Sequence, residues 1–90
     1  MNGLETAVNA AAPVSLALNL ERQLRLVEKH HAEARHAAEQ AREELRTLMT
    51  RAAHRPADIR AARAKFEAVA ARCSRLRGII DDLEERIETC

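Results

Sequence analysis

Apolar residues recur along this chain at alternating intervals of three and four. In the first half the stripe reads Leu20, Leu24, Val27, His31, Ala34, Ala38, Ala41, Leu45, Leu48 and Ala52. In the second half it reads Ile59, Ala62, Phe66, Val69, Cys73, Leu76, Ile80, Leu83, Ile87 and Cys90. Only His31 is polar among these twenty positions. Such spacing puts each set on one side of an α-helix, in the heptad pattern of a coiled coil. The pattern predicts two long helices, packed on each other or on a partner.

The boundaries follow from local chemistry. Residues 1–14 are small, weakly patterned and end near Pro13, and are expected to form a flexible leader to a hairpin spanning 15–90. Ser15 or Asn19 can cap the first helix, because a short side-chain oxygen accepts from a free amide of the first turn. That helix is expected over about 16–53, with a turn at 54–56 and a second helix over about 57–89. Pro56 suits the first helical position, and Asp58 complements the positive end of the helix dipole. A connection this short makes the helices antiparallel neighbours. The expected fold is therefore all-α, an antiparallel two-helix hairpin of coiled-coil type.

Folding the hairpin brings together stripe positions whose numbers sum to about 111. Ala41, Ala38 and Ala34 then face Val69, Cys73 and Leu76, Phe66 faces Leu45, and His31 faces Ile80. Small residues opposite large ones let the axes approach closely. On one edge Arg51 falls near Asp58 and Glu44 near Lys65, which is complementary. On the other edge Arg35 falls near Arg77 and Glu28 near Glu84, pairing like with like. In a head-to-tail arrangement with a second copy, Arg35 and Arg77 would meet Glu28 and Glu84, so this edge is expected to bind another copy or a partner.

Composition narrows the function. Ninety residues with two Gly, two Pro, one Phe and neither Trp nor Tyr form one small helical domain. A core of this size supplies only roughly 3–5 kcal/mol by itself, so self-association or a partner is expected to complete it. Fifteen basic and fourteen acidic residues nearly cancel, which predicts no nucleic-acid or membrane partner from net charge. No stretch of eighteen apolar residues occurs, so no membrane span is expected. Residues 1–14 lack the basic and apolar regions of a secretory signal. Cys73 and Cys90 sit seventeen residues apart on one helix, about 25 Å by helical rise, and cannot bridge within it. A reducing, cytoplasmic setting fits them, with Cys73 as a core residue.

Charge is unevenly spread. Residues 42–77 hold ten Lys or Arg against four Asp or Glu, while the rest holds five against ten. The hairpin thus has a basic tip, formed by Arg46, Arg51, Arg55, Arg60, Arg63 and Lys65 with His54, and an acidic open end. Such a tip could neutralise phosphates without reading sequence, which leaves a nucleic-acid accessory role as an alternative. The lack of stacking aromatics and of any DNA-binding motif argues against it.

Catalytic and metal chemistry finds little support. Glu28 with His31 and Glu33 with His36 have the three-residue step seen in metal-binding bundles. The facing stripe of Val69, Cys73, Leu76 and Ile80 offers no oxygen ligand, so no metal or other cofactor is expected. There is no Gly-rich phosphate loop, and Ser15 and Ser74 have no organised base. A non-catalytic binding module is the expectation.

The stretch Leu48-Met-Thr-Arg-Ala-Ala-His-Arg-Pro56 opens a helix that continues Phe66-Glu-Ala-Val-Ala and reaches Gly78-Ile79-Ile80. This layout, over about residues 20–83, resembles the small E-type co-chaperones of bacterial type III secretion. The resemblance implies a cytoplasmic helper that joins a tetratricopeptide-type chaperone in keeping a needle subunit soluble before export. The small secreted hairpins with a Trp-x-Gly turn fit less well, because the turn here reads Ala53-His54-Arg55-Pro56. A homodimeric coiled-coil adaptor or inhibitor remains the alternative. In each case docking would use helix-in-groove recognition through apolar positions outside the stripe: Leu16, Leu18, Leu26, Met49 and Ile79.

Overall fold

A computed structural model of the chain consists of two α-helices, α1 over Asn2–Thr50 and α2 over Pro56–Thr89. It describes residues 2–51, 53 and 55–90, with side chains from Ser15 onward. Ala52 of the apolar stripe and His54 of the expected turn lie outside the described residues. Among the described residues there is no strand, and the two helices pack side by side as an antiparallel hairpin.

The first helix is longer than its heptads suggested. It begins at Asn2, so the backbone of the expected leader is helical from that residue, and Ser15 and Asn19 are interior positions rather than caps. Ala10, Ala11 and Ala12 carry the highest helix propensity of any residue type. Pro13 forfeits one backbone bond there without ending the helix. At the other end α1 stops at Thr50, ahead of the expected end near Ala53. The Thr50 hydroxyl donates to the Thr47 carbonyl at 3.0 Å, and the Arg51 amide donates to Leu48 at 3.4 Å.

Proline sets the start of α2. Arg55, the residue before Pro56, is held extended at φ −95° and ψ 135°, as steric contact with the proline ring requires. Its carbonyl accepts the first helical bonds, from Asp58 at 3.0 Å and Ile59 at 3.2 Å. Asp58 lies in the first turn and Arg86 in the last, each opposite in sign to its end of the dipole.

The long dimension of the molecule, 74 Å, matches the length of α1 at about 1.5 Å per residue. The shorter α2 spans about 51 Å on the same rule, so the N-terminal turns of α1 project beyond the end of α2. The expected stripe forms the interface. Leu20, Ala34, Ala41, Ala62, Ile80 and Leu83 are buried, and every other described stripe residue except Cys90 is half-buried. Cys90 lies just past the end of α2 and is exposed, so it is not a core position. Ala41 and Ala34, only 1% and 3% exposed, show how closely the helices approach where α1 has no bulk.

Register is fixed by an observed contact on one edge. Lys65 Nζ lies 3.1 Å from a Glu44 carboxylate oxygen, as the sequence pairing anticipated. Advancing fourteen residues, two heptads, along each helix sets His30 beside Ile79. On the opposite edge, Arg35 and Arg77 flank one shallow groove with His31, Ala38, Phe66 and Cys73 along its floor.

Candidate protein-binding surfaces

The two edges of the hairpin differ in chemistry. On the Glu44 edge, toward the open end, stand Leu16, Leu26 and Ile79, at 52%, 56% and 47% exposure. Heptad geometry places all three on this one side, with His30 half-buried beside Ile79. His30 Nδ1 is 3.8 Å from a carboxylate oxygen of Glu33, an exposed residue one turn along the same helix. His30 was not singled out in the sequence. Its edge position opposite Ile79 was the available signal, since a residue beside a large apolar neighbour gains cover from it.

Leu18 and Met49 are also about half exposed, but they belong to the Arg35 edge and lie near its two ends. The groove on this side, about 430 Å³, is open along its length. Ala70 is half-buried at its wall although it is not a stripe residue. Small residues at Ala38 and Ala70 leave the edge of Phe66 uncovered, so the apolar seam is visible from outside here. Glu28, Glu84 and Arg35 are exposed. Arg77 pairs with Asp81 of its own helix at 3.3 Å.

The basic tip is exposed at each of its described positions, Arg46, Arg51, Arg55, Arg60, Arg63 and Lys65. Part of its charge is already compensated. Arg46 pairs with Glu43, and Lys65 with Glu44. A phosphate ligand would compete with these carboxylates for the same cations. A second shallow depression lies along α1 at Gln40, Glu44, Thr47 and Arg51, and its acidic members make it a poor anion site.

Among the described residues no group of three His, Cys, Asp or Glu side chains is placed to hold a metal ion. Cys73 is half-buried within the seam and Cys90 exposed at the open end, and both are free thiols. Among the described residues no helix is long and apolar enough to cross a membrane. Among the described residues every buried one is apolar, and no buried side-chain nitrogen or oxygen lacks a partner. The two depressions described are open surfaces. Compared with known proteins, the chain matches no family model, no curated protein and no solved structure.

Proposed function

We propose that this chain is a non-catalytic protein-binding module that acts in the cytoplasm and docks a helical partner on its Glu44 edge. The observation that carries the reading is the alignment of Leu16, Leu26 and Ile79, three large apolar side chains about half exposed on one side. Isolated exposed apolar residues are ordinary on any surface, but three on one side near one end form a stripe. A partner helix laid along it would be read as anchors at helical spacing. Arg72 and Arg75 are exposed on the neighbouring turns of α2 and favour acidic shoulders on that helix.

In its specific form the proposal is a secretion co-chaperone. The layout shared with the type III E-type proteins supports it, and the partners would then be a tetratricopeptide-type chaperone and a needle subunit. Capture from the native host, with nuclease treatment as control, tests this. The tagged chain should bring down those two proteins with or without nuclease. Leu26→Asp with Ile79→Asp should abolish capture while helical circular dichroism stays unchanged. Partners lost on nuclease treatment would replace the proposal with a nucleic-acid role at the basic tip. Undiminished capture by the double variant would move the docking surface elsewhere.

A further inference from the structure

The Arg35 edge carries a charge pattern that repeats in reverse. Along α1 this side presents Glu21, Glu28, Arg35 and Arg42 at one heptad position, and Leu18, Arg25, Ala32, Glu39 and Arg46 at the adjacent one. All nine are exposed. Of the seven charged ones only Arg46 takes part in an ion pair among the described residues, with Glu43 of its own helix, whereas Glu44, Asp81 and Asp82 are all paired. The first series changes sign once, between Glu28 and Arg35. A series that changes sign once is complementary to its own reversal.

We infer that the Arg35 edge is an isologous interface at which two copies of this chain pack antiparallel into a four-helix bundle. The two-fold axis crosses α1 at Ala32, so that residues whose numbers sum to 63 or 64 come together. Glu28 then meets Arg35 of the second copy, Glu21 meets Arg42, and Arg25 meets Glu39. Each pair occurs twice by symmetry. Ala32, with the smallest side chain on this side, meets its own mate on the axis, where a bulky residue would hold the helices apart. A shift of one heptad either way sets Glu28 against Glu28 or Arg35 against Arg35. A parallel dimer would pair every charge with itself. Only the stated register satisfies the whole series.

The rest of the surface agrees with this placement. The axis crosses α2 near Ile80 and Asp81, and sets Arg77 against Glu84 of the second copy. Asp81 lies on the axis, and the Arg77 of its own helix already neutralises it at 3.3 Å. The part of the groove over Ala38 and Cys73 is covered by the second copy's open-end half. Exposed Leu18 comes within about one turn of the second copy's Met49, which accounts for apolar residues at both ends of a charged face. The turn-proximal half of each copy also lies beside the projecting N-terminal turns of the other. About 50 Å of α1 and about 27 Å of α2 would be in contact, each about 10 Å wide. That is roughly 800 Å² per copy, the size of a standard specific interface.

The inference stands apart from the docking proposed on the Glu44 edge, because it is read from the purified chain alone. Light scattering after size exclusion, at hundreds of micromolar, should give about twice the 10.1 kDa of one chain. An acidic variant, Arg35→Glu with Arg42→Glu, and a basic variant, Glu21→Arg with Glu28→Arg, should each keep their helical signal but run as monomers. Dimer dissociation constants should rise at least about tenfold. Mixed in equal amounts, the two variants should recover the dimeric mass as a one-to-one heterodimer. Orientation is read separately. Ala32→Cys with Cys90→Ser should form a disulfide-linked dimer under mild oxidation. The native Cys90 residues, about 28 Å apart in this arrangement, should not link. A monomeric native chain, reversal variants that still dimerise, a mixture that fails to recombine, or rapid linkage through Cys90 would each overturn the inference.

Discussion

The close approach of the helices at Ala41 can be probed by exchanging sizes across the seam. Ala41 is 1% exposed, and the register fixed by Glu44 and Lys65 places it opposite Val69, which is half-buried. Ala41→Val adds two methyl groups where there is no free space, and overpacking of this kind costs about 1–3 kcal/mol. Val69→Ala removes two methyls; at about 0.8 kcal/mol per fully buried carbon, halved for partial burial, the loss is about 0.8 kcal/mol. Made together, the changes restore the summed volume with the large and small partners exchanged. The double variant should then be no more than about 1 kcal/mol less stable than the native chain, and the coupling energy should be at least about 1 kcal/mol. Urea unfolding followed by circular dichroism at 222 nm measures all four corners of the cycle. Protomer concentration must be the same in each, since association shifts apparent stability. If the two single changes simply add, Ala41 and Val69 do not face each other and the register is wrong.

Gly78 offers a test in the opposite direction. It lies inside α2, and a Cβ built there meets nothing within 4 Å, so Gly78→Ala should gain about 0.8–1 kcal/mol and raise the melting temperature by several degrees. Leu83 is 4% exposed, and Leu83→Ala should cost about 2–4 kcal/mol and lower the melting temperature followed by circular dichroism by about 10–30 °C. Removing residues 1–14 should leave the melting temperature of a chain held in its monomeric form within about a degree of the native one, because those turns of α1 project past the end of α2. A drop of several degrees would show that they pack on the hairpin.

Most of this architecture was written in the spacing of the apolar residues. A three-four alternation over nearly five heptads per helix has one structural meaning, and the buried set Leu20, Ala34, Ala41, Ala62, Ile80 and Leu83 falls entirely within it. Pro56 and Asp58 announced the second helix because proline has a defined place at a helix start. The beginning of α1 was hidden for the same reason. Pro13 reads as an end, yet a helix already favoured by three alanines runs through it. Cys90 continued the stripe in number but not in space, because α2 stops at Thr89. The five exposed apolar residues were visible as positions outside the stripe. Their division between the edges, with Leu16, Leu26 and Ile79 on one and Leu18 and Met49 on the other, emerges only when both helices share one register.

The short connection between Thr50 and Pro56 also separates the order in which the hairpin forms from the strength with which it holds. Pairs next to the turn, such as Leu48 with Ile59 or Leu45 with Phe66, close loops of about ten to twenty residues and form at the least entropic cost. Pairs near Leu20 and Ile87 enclose most of the chain and must wait for the helices to align. Alanines are buried along the whole seam, but among the described residues the large side chains that are buried lie toward the open end. Leu45, Leu48, Ile59 and Phe66 near the turn are only half-buried, while Leu20, Ile80 and Leu83 toward the open end are nearly sealed. Closure therefore begins at the turn and runs toward the open end, but the last contacts made are the ones that lock the helices. A partner gripping Leu26 and Ile79 engages the hairpin where that lock lies, and its binding would slow the reopening of the whole molecule.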